Sequence, residues 1–323
     1  MVGLVTPWNY PLTLVVSDAL PALVAGNTVV VKPAEATPYT ALAARELLLD
    51  AGVPRDCFLV VPGTGETAGT ALTERVDFVG FTGSTAVGRE VAATAGRRLV
   101  DASLELGGKN PMVVLGDAGV DAAVDGAVAA CYPNAGQLCV SVERIYVEDA
   151  VYEAFRDRLV AATRGLSLGV DFTHDPDVGS LIGPEQLDRV AGAVDDAVAA
   201  GAEVLTGGRR RPDVGPYVYE PTVVEGAGPD DAVVREETFG PVVTLHRVAD
   251  ADEAVERAND TDYGLHASVW SGDADRGAAV ARRIRSGTAS VNDAYVSAYA
   301  AVDAPMGAAA TPGSAAATAA RGY

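Results

Sequence analysis

The sequence predicts an α/β protein built on parallel sheet, and three observations carry that prediction. Short apolar runs rich in β-branched residues, such as Thr28-Val29-Val30-Val31, alternate with longer stretches of helical character. Glycine and proline punctuate the changes, as at Lys32-Pro33, Gly52 and Pro62-Gly63. The chain has 323 residues, of which 49% are hydrophobic, enough for two domains each with its own core and too apolar for global disorder. Strands and helices alternating at this spacing form parallel sheets covered by helices.

The elements follow in order. Residues 28–31 form a first strand stopped by Lys32-Pro33, and residues 39–51 a helix ended by Gly52. Residues 58–61 form a second strand carrying Cys57 as a small buried hydrophobe, residues 68–75 a short helix, and residues 78–81 a third strand. A helix runs to about Ala95, and residues 98–106 read as a fourth strand. Past Gly107-Gly108 come a buried strand at 112–115, an alanine-rich helix at 120–131 holding Cys131 in the core, and a strand at 145–147. Helices are predicted at 151–163, 186–200, 253–259 and 276–285, with strands at 242–245 and 267–270. The glycine pair divides a domain of residues 1–106 from a second α/β domain of residues 107–290. Residues 291–323 form a return segment whose tail from Ala308 is low-complexity and predicted to be disordered.

Composition excludes several functions. The net charge is −20 and no basic run is visible, so neither nucleic acid nor an anionic membrane is a predicted partner. No apolar stretch is long enough to span a bilayer and the start lacks the basic region of a signal peptide; with three cysteines the expectation is a reducing cytoplasm with free thiols. No Cys-x-x-Cys pair exists and the three histidines are scattered, so no metal is predicted. Only Lys32 and Lys109 are lysines, against 22 arginines, which marks both as positions where a compact ammonium matters.

Several residues could carry chemistry. Gly63-Thr64-Gly65-Glu66-Thr67-Ala68-Gly69 follows a strand and opens a helix, one residue longer than a dinucleotide fingerprint, and reads either as an ordinary turn or as a phosphate cradle. Gly80-Phe81-Thr82-Gly83-Ser84 is a second such step. Cys139 lies in Asn134-Ala135-Gly136-Gln137-Leu138-Cys139-Val140, where polar and glycine residues mark a loop that presents the thiol. Glu105, between Leu104 and Leu106 at a strand end, faces solvent or acts as a base in an apolar site. Asn9, in Pro7-Trp8-Asn9-Tyr10-Pro11, is a rigid turn or an oxyanion donor, and Arg144 meets a substrate carboxylate or forms a salt bridge.

Taken together these motifs resemble the aldehyde dehydrogenase superfamily over residues 2–307. Pro7-Trp8-Asn9-Tyr10-Pro11-Leu12, Lys32-Pro33-Ala34-Glu35, Phe81-Thr82-Gly83-Ser84, Glu105-Leu106-Gly107-Gly108-Lys109, Gly136-Gln137-Leu138-Cys139 and Glu237-Thr238-Phe239-Gly240-Pro241 occur in the family's order. The resemblance implies a Rossmann-type cofactor domain plus a second α/β catalytic domain, and NAD(P)-dependent oxidation of a small aldehyde to an acid. Cys139 would be the nucleophile, Asn9 would hold the oxyanion and Glu105 would activate the hydrolytic water. Thr6, Pro7, Trp8, Lys32, Glu35, Gly63, Gly83, Ser84, Glu237 and Phe239 would bind the cofactor, with Lys32 and Glu35 on the adenosine ribose, Gly83-Ser84 at the pyrophosphate, and Glu237 and Phe239 at the nicotinamide end. Lys109 would serve a structural turn.

A carboxylate at Glu35 favours NAD over NADP. The segment Ser103–Val147 most resembles bacterial succinate-semialdehyde dehydrogenases, many described as NADP-linked, so the two clues oppose each other. Relative to the family's pattern an N-terminal region and the usual ending after Gly307 are missing, and a frameshift near Gly307 is the expected cause of the altered ending, testable by reading the nucleotide sequence in three frames. The family forms homo-oligomers through segments missing here. The alternative reading is therefore an inactive dinucleotide-binding remnant.

Overall fold

The computed structural model describes residues 1–171, 173 and 175–295. The tail predicted from Ala308, and nearly all of the return segment, lie outside the described residues. The chain divides into two compact units, one of residues 1–106 and one beginning at Gly107.

In the first unit the elements are β1 (Val2–Val5), α1 (Thr13–Val24), β2 (Val29–Lys32), α2 (Pro38–Asp50), β3 (Phe58–Val60), α3 (Thr70–Thr73), β4 (Phe78–Thr82), α4 (Thr85–Arg98) and β5 (Asp101–Glu105). The five strands form one sheet in the order β3-β2-β1-β4-β5, and every pairing is parallel. Strand order reverses between β1 and β4, so the crevice at the carboxyl ends of these strands is the place where such sheets take a ligand. Two clusters supply the core: Leu4, Val29, Val31 and Phe58 with Val15 and Ala19 of α1, and Val79, Phe81, Leu104 and Leu106 with Val91 of α4.

The second unit contains β6 (Asn110–Val114), α5 (Val120–Cys131), β7 (Val142–Glu148), α6 (Tyr152–Arg164), α7 (Pro184–Ala199), β8 (Glu203–Thr206), β9 (Thr222–Glu225), α8 (Ala232–Arg235), β10 (Val242–Val248), α9 (Ala251–Asn259), β11 (His266–Trp270), α10 (Ala274–Ala281) and β12 (Thr288–Val291). Its sheet runs β12-β11-β6-β7-β10-β9-β8, parallel throughout except that β8 is antiparallel to β9. Because successive strand residues point to opposite faces, Met112 and Val114 pack with α5, α6 and α7, whereas Val113 and Leu115 pack with α9 and α10. Both faces are thus covered, which explains why β6 reads as an uninterrupted apolar run.

The sequence expectation differs from the structure at identifiable points. The strand expected from Arg98 begins at Asp101, because Arg98 still belongs to α4 and donates to the Thr73 and Val76 carbonyls at 3.0 and 2.6 Å. Leu99 then ends the helix in a left-handed conformation, φ 58°. The helix expected from Ala68 is preceded by a π-helical turn, Gly65–Gly69, capped where the Thr64 hydroxyl accepts from the Thr67 amide at 3.3 Å. Cys57 is not in the strand interior; it is half-exposed in the turn before β3. Cys131 is buried in the core at the end of α5.

Phe155 is fully buried on α6 beneath the second sheet. Phe155→Ala is expected to lower the stability of the chain by about 3–5 kcal/mol, through lost burial plus the cavity left behind. Urea denaturation followed by circular dichroism checks this; an unchanged midpoint would place Phe155 outside the cooperative core.

Candidate active site

In the first unit, most of the candidate residues sit at or just after the carboxyl ends of parallel strands. Thr6 follows β1 directly, and its amide donates to the Lys32 carbonyl at the end of β2 at 3.1 Å. Pro7, Trp8, Asn9 and Tyr10 form the half-buried turn leading to α1. Lys32 is 3% exposed, yet its ammonium reaches Glu35 Oε1 at 2.9 Å. The same Glu35 oxygen accepts from the Gly65 amide at 2.6 Å, so the carboxylate joins the loop after β2 to the turn after β3. Burial raises the Glu35 pKa, but the Lys32 ammonium and the backbone donors outweigh this and hold it below its ordinary value.

Gly63 leads into that turn, and a Cβ there would lie 2.8 Å from the Ala68 Cβ. Gly83 follows β4; a Cβ would lie 2.7 Å from the Phe81 ring, and its amide donates to the Glu105 carbonyl at 3.0 Å. Ser84 caps α4 by accepting from the Val87 amide at 3.4 Å, so a helix N-terminus opens beside the switch point. Glu105 is the last residue of β5 and half-buried, paired in register with Thr82. Among the described residues the buried Thr6 hydroxyl has no hydrogen-bond partner, which leaves a polar group uncompensated at the carboxyl end of the central strand. A helix N-terminus, a glycine with no room for a side chain and an orphaned hydroxyl fit a dinucleotide.

In the second unit, four consecutive residues organise the loops around Cys139. The Asn110 side-chain amide donates to the carbonyls of Cys139 and Ser141, each at 2.8 Å, and its oxygen accepts from the His266 amide at 3.0 Å. A Cβ on Gly108 would lie 2.8 Å from the Cys139 carbonyl. The turn before Cys139 contains three successive left-handed residues, Asn134, Ala135 and Gly136, with φ of 52°, 54° and 71°. Only glycine fits the third, where a Cβ would lie 2.0 Å from the Gly240 carbonyl. Gln137 is buried and secures this turn: its amide donates to the Asn134 carbonyl at 2.9 Å and its oxygen accepts from the Ile182 amide at 2.9 Å. Cys139 itself is half-buried.

Glu237 and Phe239 lie on the loop before β10. The Glu237 carboxylate accepts from the Gly108 amide at 3.0 Å, and a Cβ on Gly107 would lie 2.3 Å from its other oxygen. Burial, reinforced by the neighbouring Glu143 charge, raises the Glu237 pKa to about 7, against the opposing pull of the Gly108 amide, Arg189 and Lys109. Phe239 holds a left-handed backbone, φ 53°.

Two charged residues behave differently from expectation. Lys109 does more than close a turn: it is 1% exposed and forms a buried ion pair with Glu143 of β7, which the sequence reading passes over. Among the described residues Arg144 forms no salt bridge, and its guanidinium is not presented to solvent. It is fully buried, donating to the carbonyls of Lys109, Arg257 and Ala258 at 2.9, 3.3 and 3.0 Å and to the Tyr146 hydroxyl at 3.2 Å. The one available signal was an acid and a base side by side within the apolar run Val140–Val147, a place where charges need partners. Among the described residues no group of three or more His, Cys, Asp or Glu side chains could hold a metal, and no helix is long and apolar enough to cross a membrane.

The raised Glu237 pKa has a consequence for stability. Between its ordinary value of 4.5 and about 7 the folded chain keeps a proton that the unfolded chain releases, so this group's contribution falls as pH rises through that window. Urea midpoints of the cofactor-free chain and of Glu237→Gln, compared at about pH 5 and about pH 8, isolate it. The parent is expected to lose stability relative to the variant at the higher pH; a constant difference between the two would contradict the assignment.

Known proteins resemble this chain in sequence and in fold. Residues 1–308 match the aldehyde dehydrogenase family. The chain is 53% identical over 307 residues to the Mycobacterium tuberculosis protein named "Putative succinate-semialdehyde dehydrogenase (NADP+) 2", covering 95% of this chain and 59% of that relative. It is 40% identical over 296 residues to a Bacillus subtilis betaine aldehyde dehydrogenase, covering 90% of this chain and 60% of the relative. Among solved structures, an NAD-dependent aldehyde dehydrogenase from Sinorhizobium meliloti superposes with a TM-score of 0.87 at 40% identity, over 90% of this chain and 58% of that one. The chain thus spans about three-fifths of the length of the relatives it matches, and by its matching residues and its fold it belongs to the aldehyde dehydrogenase family.

Proposed function

We propose that this chain carries the chemistry of an NAD(P)-dependent aldehyde dehydrogenase acting on a small aldehyde, with succinate semialdehyde as the first candidate. The observation that carries this reading is the Cys139 loop. A thiol outside the core and outside any regular element sits on a backbone fixed by Asn110 and Gln137, as a nucleophile requires. The substrate candidate rests on the relative named for succinate semialdehyde.

Cys139 attacks the aldehyde carbon and forms a thiohemiacetal. The Asn9 amide and the Cys139 amide stabilise the developing oxyanion; such a donor is typically worth about 2.7–4 kcal/mol of barrier. When bound, NAD(P)+ supplies the hydride acceptor. Glu105 then takes a proton from water as that water attacks the resulting thioester, and the acid leaves with the thiolate restored. Thr6, Pro7, Trp8, Gly63, Gly83 and Ser84 seat the dinucleotide, Lys32 and Glu35 take the adenosine ribose, and Glu237 and Phe239 take the nicotinamide end.

NAD ranks ahead of NADP in this reading. The Glu35 carboxylate is held ionised by Lys32 and Gly65, and a fixed negative charge there opposes a 2′-phosphate. The NADP-type relative argues the other way, so an assay with each cofactor decides.

Cys139→Ser is expected to lower reduced-cofactor formation by roughly three orders of magnitude or more while leaving cofactor binding intact. An unchanged rate removes Cys139 from the mechanism. Glu105→Gln is expected to slow deacylation by roughly 10²–10⁴ and to leave one rapid turnover per active site, seen as a burst of absorbance followed by a stall. A parent chain that binds cofactor but turns over no aldehyde would favour the binding remnant instead.

A further inference from the structure

Glu143 has no part in the reaction proposed above, yet its side chain is almost completely buried, at 2% exposed. Its two oxygens are both committed to the loop that carries Glu237. Oε2 accepts from the Thr238 amide at 2.8 Å and Oε1 from the Phe239 amide at 2.9 Å, while the Lys109 ammonium balances the charge and also reaches the Thr238 hydroxyl at 3.3 Å. The carbonyls of the same loop are taken from the other side by α7. Gln186 donates to Thr238 and Phe239 at 3.0 and 2.8 Å, and Arg189 donates to the Glu237 carbonyl. Between these two sets of bonds Phe239 is held at φ 53°, a conformation a phenylalanine keeps only where its surroundings impose it.

We propose that Glu143, neutralised by Lys109, is a positioning residue for the cofactor, fixing the Glu237–Phe239 backbone in the one conformation that presents both side chains to the ribose and nicotinamide end. The proposal rests on the cofactor roles assigned above to Glu237 and Phe239, but its first observable does not. A carboxylate can serve two backbone N–H groups at once because both of its oxygens accept. Glutamine has one acceptor, and its amide nitrogen would meet the second N–H donor to donor.

The test uses the full chain and two variants. Glu143→Gln strands the buried Lys109 ammonium and loses stability for that reason alone, so it is paired with the double variant Lys109→Met/Glu143→Gln, in which neither charge remains. Amide hydrogen exchange is measured at Thr238 and Phe239 without cofactor, and calorimetric titrations are run with NAD+ and separately with AMP, which lacks the nicotinamide half. Both variants are expected to exchange faster at these two amides and to bind NAD+ about tenfold more weakly, the loss expected when a hydrogen-bonded contact is misplaced, with AMP affinity unchanged. Native protection together with native NAD+ affinity in the folded double variant overturns the proposal, as does an equal loss for NAD+ and AMP. If the parent binds neither nucleotide the cofactor reading fails on its own, and the exchange data alone then decide whether the pair fixes the loop.

Discussion

The second unit depends on a four-residue segment, Gly107 to Asn110, from which three loops are held. Gly108 meets the Glu237 carboxylate, Lys109 pairs with Glu143 beneath Thr238, and Asn110 joins the Cys139 turn to the start of β11. None of these contacts lies on the surface, where an ion pair would contribute little. Burial makes them costly to leave incomplete, so each loop has one satisfied arrangement and few alternatives. That rigidity offsets the strain of left-handed residues at Asn134, Ala135 and Phe239, each costing about 1–2 kcal/mol. The Gly240 carbonyl packing against Gly136 ties the cysteine turn to the Glu237 loop as well, so neither can shift without the other.

The first unit obeys a different constraint, that of an all-parallel sheet. Every strand ends on the same edge, so residues far apart in sequence, such as Thr6, Lys32, Gly83 and Glu105, are delivered to it by topology alone. Local chemistry then tunes that edge. Glu35 bridges two neighbouring loops, Ser84 caps a helix whose N-terminus favours negative charge, and Thr6 keeps a buried hydroxyl without a partner among the described residues. A group able to accept from that hydroxyl would remove a standing penalty, which is one physical reason to expect a ligand there.

Much of this was legible in the sequence, and the reasons differ by element. The helix at Val120–Cys131 matches its expected bounds because its apolar residues repeat with helical period and Tyr132-Pro133 stops it. The buried strands β6 and β10 were visible as apolar runs, although their ends were set by loops and came out longer. The short elements β1, β8, β9, α8 and β12 were not predicted, nor was α1, which carries Pro21 within it. Candidate side chains were found where a motif marked them. Glu143 and Asn110 were missed because their work is done across long sequence separations, Glu143 to Phe239 above all, and no local pattern records a contact of that kind. Arg144 shows the converse: its charge suggested a salt bridge or a substrate carboxylate, and the fold uses it to satisfy carbonyls.

The proposed reaction turns on Cys139 becoming acylated by an aldehyde in a cofactor-dependent step. The most direct measurement is mass spectrometry of the Glu105→Gln variant, quenched in acid after mixing with succinate semialdehyde and NAD+ or NADP+. A succinyl thioester is expected, confined to the peptide containing Cys139 and formed only when a cofactor is present. An adduct on Cys57 or Cys131, or none in a protein that binds the cofactor, would contradict it.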